Sequence, residues 1–189
     1  MRKIAWVLPA VLAAVWTGQT VAGGKGTTID LDGLKSVTPA DWKVQKPDPK
    51  LGTFRIHQFA LPKAGNDKED AELVVFYFGA GSGGGTAENI KRWKATFAAP
   101  PGKNIDDVTK VSMFKVGDVA VTYVEISGTY LYKFPPFAPN AKTIPKEDFR
   151  FIGTIFESKD GPYFMRVTGP ARTVEANKKG FDDWLKGFK

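Results

Sequence analysis

Two turn signals constrain this chain most. Gly117-Asp118 separates residues 108–116 from 119–130, and Lys159-Asp160-Gly161 separates 151–157 from 163–168. All four runs are rich in β-branched and aromatic residues. Glycine-bearing connections this short, between such runs, predict β-hairpins, whose strands pair antiparallel. Two further runs add strands. Residues 54–61 mix apolar and polar positions between Gly52 and Pro62, and 72–78 is continuously apolar after Glu72. A continuous apolar run suits a central strand covered on both faces.

Two segments carry a helical period instead. Ile90, Trp93 and Phe97 recur at helix spacing after Thr86, whose hydroxyl suits a capping position, and Pro100-Pro101-Gly102 end the segment. Val174, Phe181, Trp184, Leu185 and Phe188 share one face of a C-terminal helix. Gly180 weakens that helix by about 1 kcal/mol, which places its firm start near Phe181. Trp93 and Trp184 fall on the apolar faces and are expected in the core. Residues 132–146 contain Pro135, Pro136, Pro139 and Pro145, so they do not read as a central strand. The expected fold class is α+β: a mainly antiparallel sheet of about six strands covered by helices.

The N-terminus reads as a secretory signal peptide over residues 1–22. Arg2 and Lys3 precede an uncharged apolar run, and small residues stand at Thr20 and Ala22. The run is shorter than the roughly 20 residues a spanning helix needs. Cleavage is expected after Ala22; the other reading of the same run is an uncleaved N-terminal anchor. Residues 23–33 then read as a flexible leader and 34–189 as a single α+β domain. The expected location is periplasmic or extracellular, and no later segment reaches membrane-spanning length.

The chain has 27 basic and 20 acidic residues, a formal charge of +7. This balance favours an anionic envelope polymer or an envelope protein as partner. Nucleic acid is not an expected partner of an exported chain. The inventory of reactive groups is narrow, with one histidine and no cysteine. A Ser-His-Asp triad would have to use His57, and no G-x-S-x-G elbow accompanies it. Structural zinc normally takes four Cys or His ligands. No catalytic residue, metal or cofactor is therefore expected.

Gly79-Ala80-Gly81-Ser82-Gly83-Gly84 fits G-x-G-x-x-G between a strand and a helix, but the parallel strand and acid of a dinucleotide site do not follow. Gly85 stands where a phosphate-binding loop needs lysine. A milder reading remains: backbone N–H groups of Gly81, Gly83 and Gly84, with Lys91 and Arg92, could hold an anion. Asp67, Glu69 and Asp70, with the pairs Asp106-Asp107 and Asp182-Asp183, leave a carboxylate-based hydrolase of envelope polymers as an alternative. Tyr132, Phe134 and Phe137 lie among prolines, where a stiff segment could dock a partner or fold back on the sheet.

Taken in order, several segments resemble the PsbP-like fold, shared by a photosystem accessory protein and a nuclear Ran-binding protein. They are Pro39-Ala40-Asp41-Trp42, Asn89-Ile90-Lys91-Arg92-Trp93, Gly161-Pro162-Tyr163-Phe164, Thr168-Gly169-Pro170, and Phe181 with Leu185. The resemblance implies an α-β-α sandwich and accessory or binding roles; no functional residue carries over by position. The segments 79–93 and 161–188 are also similar to uncharacterised exported proteins of planctomycete-type bacteria. The expectation is an exported, non-catalytic binding or accessory protein of the cell envelope. The alternatives are the hydrolase above and a self-associating structural envelope protein.

Overall fold

The computed structural model describes residues 25–47, 54–134 and 140–189. The signal-peptide expectation and Phe137 lie outside them. In chain order the elements are β1 (Thr28–Leu31), β2 (Leu34–Val37), β3 (Lys43–Val44), β4 (Arg55–Leu61), β5 (Ala71–Tyr77), α1 (Thr86–Lys94), β6 (Phe97–Ala98), a short 3-10 turn (Ile105–Val108), β7 (Thr109–Val116), β8 (Val119–Phe134), β9 (Lys142–Ser158), β10 (Gly161–Pro170) and α2 (Ala171–Lys186).

Both hairpins form where the turn residues put them. β7 pairs β8 from Val116↔Val119 to Thr109↔Ile126, and β9 pairs β10 across the Lys159-Asp160 turn. The apolar run becomes β5, inserted between β4 and β10. All described pairings are antiparallel. The main sheet runs β3-β4-β5-β10-β9-β8, with β6 and β7 sharing the outer side of β8. The class is α+β as expected. The sheet has eight strands rather than about six, and a separate two-stranded sheet joins β1 to β2. The uncounted strands β3 and β6 are two residues long. No periodicity can show itself over two residues.

Alternation sorts the sheet into two apolar faces. One packs under α2, where Val174, Phe181, Trp184 and Leu185 meet Phe59, Leu73, Val75, Ile152 and Met165. The other packs under α1, where Trp93 meets Val124, Ile126, Phe149, Phe151, Ile155 and Phe164. One helix layer therefore lies on each side. Trp93 and Trp184 are both buried, as their positions on the helical stripes required.

Three expectations need correction. The leader over 23–33 is ordered from Thr28 onward: β1 buries Ile29 and Leu31 in the α2-side core. The Asp32 carboxylate accepts hydrogen bonds from the hydroxyls of Tyr163 (2.8 Å) and Ser158, fixing the β1–β2 turn to the β9–β10 hairpin. β2 also joins the chain's far end. The Lys35 amide donates to the Lys189 carbonyl (2.9 Å), and the Ser36 hydroxyl donates to the Trp184 carbonyl (2.6 Å).

α2 begins at Ala171, ten residues before Phe181, and runs through Gly180. The glycine has a packing reason. A Cβ there would sit 3.1 Å from the Pro39 ring, so the missing methyl lets the Pro39–Trp42 turn close on the helix. At the start of α1 the capping residue is Gly85, not Thr86, which is already helical.

The proline-containing segment is only partly a loop. β8 and β9 pair from Ala120↔Glu157 out to Phe134↔Lys142, with a register shift between Gly128 and Tyr130. Gly128 sits at φ 153°, and a Cβ there would lie 2.4 Å from the Ala98 carbonyl oxygen. Glycine is required at this bulge. β10 ends opposite Phe149, so the final stretch of β8 and β9 is an arm two strands wide. Pro145 pairs with Leu131 in that arm. There, one side of β9 has no strand partner among the described residues, and a missing N–H is tolerated on such an edge.

Candidate functional site: an open cleft beside α1

α1 has nine residues, so it spans about 14 Å. It covers Phe151, Ile155 and Phe164, and among the described residues the neighbouring part of its sheet face is open. Alternation brings the uncovered side chains onto that face. Glu72, Val74 and Phe76 on β5 lie against Thr168, Arg166 and Phe164 on β10. Arg55 on β4 lies opposite Phe76, and Thr168 opposite Phe151 on β9.

The result is a cleft of about 790 Å³. Its floor carries Arg55, Glu72, Phe76, Arg166, Tyr130 and Phe149. The end of α1 (Arg92, Thr96) forms one wall, the β8–β9 arm (Tyr132, Lys133, Thr143, Lys146) another, and Glu69 and Asp70 the rim.

The charges in the cleft are mostly paired. Lys146 Nζ donates to both oxygens of Glu69 (2.9 and 2.7 Å) and lies 5.3 Å from the Tyr132 ring and 5.2 Å from the Phe149 ring. Arg55 Nη1 is 3.6 Å from Glu72 Oε1, which also accepts from Gln58 Nε2 at 2.7 Å. Asp70 accepts from the Lys63 amide at 2.9 Å. Arg166 differs. Its guanidinium carbon lies 5.3 Å from the centre of the Phe76 ring and 5.9 Å from that of Phe151. Its Nε is sealed from water and has no hydrogen-bond partner, and Arg55 Nε is in the same condition. Burial pulls the Arg166 guanidinium below its ordinary pKa, only partly countered by the neighbouring Tyr130. Burial likewise raises the Tyr130 phenol. An arginine stays protonated at neutral pH even so.

The sequence-derived candidates scatter. Arg92 and Tyr132 line the cleft. Arg92 Nη2 is turned back onto the Gly83 carbonyl (2.8 Å) and Asn89 Oδ1 (2.7 Å). Lys91 is exposed on α1 and lines no part of the cleft. Phe134 is 55% exposed at the end of the arm.

Gly81, Gly83 and Gly84 take φ values of 69°, 94° and 80° but lie outside the cleft lining. Asn89 Nδ2 donates to the carbonyls of Gly83, Gly84 and Gly85, at 2.9–3.2 Å. The Gly85 amide donates to the chain's own Glu88 carboxylate (2.6 Å). An internal carboxylate therefore takes the Gly85 amide at the helix start. Sequence reasoning missed Arg55, Arg166, Lys146, Phe76, Tyr130 and Phe149. One signal was present: Arg166 interrupts the buried run of β10, Tyr163-Phe164-Met165-Arg166-Val167.

Among the described residues no group of three or more His, Asp or Glu side chains could hold a metal ion. No described helix is long and apolar enough to cross a membrane. His57 lies opposite Val75, away from the cleft, and burial lowers its pKa from the usual 6.5. The folded chain thus binds this proton more weakly than the unfolded chain does. His57 therefore costs no stability above pH 6.5 and destabilises progressively as the pH falls from there toward the lowered value. Urea midpoints measured from pH 7.5 to 5.5 should fall, with a smaller fall in His57→Gln. An equal fall in both proteins would remove His57 as the cause.

No protein-family model matches this chain, and no curated protein sequence does either. Among solved structures, the chain is similar to PA94 from Pseudomonas aeruginosa, described as a protein of unknown function. The two share 11% identity with a TM-score of 0.45, over 87% of this chain and 95% of the other.

Proposed function

We propose that this chain is an exported, non-catalytic binding or accessory protein of the cell envelope, and that it recognises its ligand in the cleft beside α1. The observation that carries the reading is the state of the cleft's carboxylates. Glu69 is held by Lys146, Glu72 by Arg55 and Gln58, and Asp70 by a backbone amide. Acid–base work on a glycosidic bond needs one carboxyl kept protonated and another poised across a cleft. Carboxylates tied to cations and N–H donors favour recognition over proton transfer. The narrow stock of nucleophiles and bases points the same way, and the basic balance supports an anionic polymer or an envelope protein as partner. A helix layer on each sheet face supports the PsbP-like relationship. Arg2, Lys3 and the small residues before Gly23 support export.

The test is a turnover screen of the full chain on glycan, ester and peptide substrates, with N-terminal sequencing of the protein recovered from envelope fractions. No turnover is expected, together with a mature N-terminus near Gly23. Hydrolysis that disappears in Glu72→Gln would overturn the non-catalytic reading. An intact Met1 on protein confined to the cytosol would overturn export.

A further inference from the structure

Arg55, Lys146 and Arg92 each have an acceptor in or beside the cleft. Arg166 has none among the described residues, although it carries five N–H donors. Cation–π contact with Phe76 and Phe151 offsets only part of the loss of water around a guanidinium. The two terminal nitrogens, unlike Nε, are not sealed, and such a pair suits a bidentate oxyanion.

The surroundings select for one. Five cations and three carboxylates line the space, and the carboxylates are already engaged. The volume, about 790 Å³, falls within the roughly 300–1,000 Å³ of small-ligand sites. Beside the two arginines stand apolar surfaces. Tyr130 and Phe149 are stacked at 6.0 Å with their planes 16° apart.

We propose that the cleft binds a carboxylate or phosphate oxyanion on the guanidinium of Arg166, beside Arg55, with an aromatic or apolar body of the same ligand resting on Tyr130 and Phe149. The assignment rests on the cleft being the recognition site. It adds the ligand's chemistry: a charged head on a compact unsaturated or apolar body.

The probes are benzoate, phenyl phosphate, inorganic phosphate and benzyl alcohol, titrated calorimetrically into the full chain and followed by thermal unfolding. Benzoate or phenyl phosphate should bind and raise Tm. Inorganic phosphate should bind about tenfold more weakly, because it leaves the aromatic surface bare. Benzyl alcohol should not bind. Whichever charged probe binds best tells a carboxylate from a phosphate ligand. Arg166→Met should abolish the Tm rise, while its own ligand-free Tm stays equal to or above that of the unaltered chain, since it removes a half-buried cation whose Nε has no acceptor. Arg166→Lys, which keeps the charge without the fork, should bind about tenfold more weakly. Lys91→Ala, on the exposed side of α1, should bind unchanged.

The proposal is overturned if none of the three charged probes binds, or if both Arg166 variants bind as the unaltered chain does. A ligand-free Tm that falls in both Arg166 variants, with binding retained, would assign the arginine to packing instead. Turnover with anion binding intact would remove the non-catalytic reading and leave this one standing. Absence of both would leave the envelope role and remove the oxyanion.

Discussion

Trp184→Ala is expected to destabilise the chain by about 3–5 kcal/mol, a large fraction of the roughly 5–15 kcal/mol that holds an ordinary domain together. Trp184 is 2% exposed at the centre of the α2-side core. Its ring packs edge-on against Trp42 at 5.9 Å and Phe188 at 5.2 Å, and lies 5.8 Å from Phe181. Truncation would leave a void bounded by three large rings, Phe181 and Phe188 on the same C-terminal segment and Trp42 on the turn before β3, all already packed, so little collapse into it is available. A partial offset comes from the indole N–H, which is buried without an acceptor and would be removed. Urea unfolding followed by far-UV circular dichroism should show a single transition at a much lower midpoint with an unchanged slope. A loss below about 1 kcal/mol would mean that α2 contributes little to the sheet it covers.

Gly153→Val is expected to cost about 3 kcal/mol, the upper end of what overpacking a core produces. Gly153 lies in β9 beneath α1, and even a Cβ would fall 2.5 Å from Phe151 Cε1 and 2.8 Å from Trp93 Cε3. Valine also adds two methyl groups that have nowhere to go but into the indole. The response should be specific to the α1 layer. Trp93→Leu made in the Gly153→Val background should recover part of the loss, although Trp93→Leu alone is destabilising. Such a sign change in a double-mutant cycle reports direct contact. Additive losses would place the clash elsewhere. Because α1 walls the cleft, the same variant should also weaken whatever the cleft binds.

The hairpins, the buried strand β5 and the presence of both helices were legible because each announces itself within about a dozen residues, but not the helix bounds: Phe97, placed on the first helical stripe, opens β6 instead. Gly117-Asp118, the Glu72–Tyr77 run and the stripe through Phe181 and Leu185 are local signals. The cleft is not local. It joins Arg55, Tyr130, Lys146 and Arg166, which come together only once β4, β10, β9 and β8 have taken their places across the sheet. It also depends on an area left uncovered. Seven strands in sequence are roughly 29 Å wide, and one nine-residue helix cannot roof them. Nothing in the residues of α1 states how much of the sheet will remain bare. At the glycine loop the local pattern was also incomplete: it did not show that the Gly85 amide is taken by Glu88, three residues after the cap.

The backbone bonds between Lys35 and Lys189 have a kinetic meaning. They tie β2 to Lys189, just beyond α2, and β1 lies on the same side, over a core that α2 completes. During synthesis that side of the sheet has no lid until α2 has left the ribosome. The early strands must wait with Ile29 and Leu31 unsheltered, and closure joins β2 to α2 across a separation of 148 residues, a costly loop to close. The nascent protein is therefore held open by its own wiring until α2 emerges.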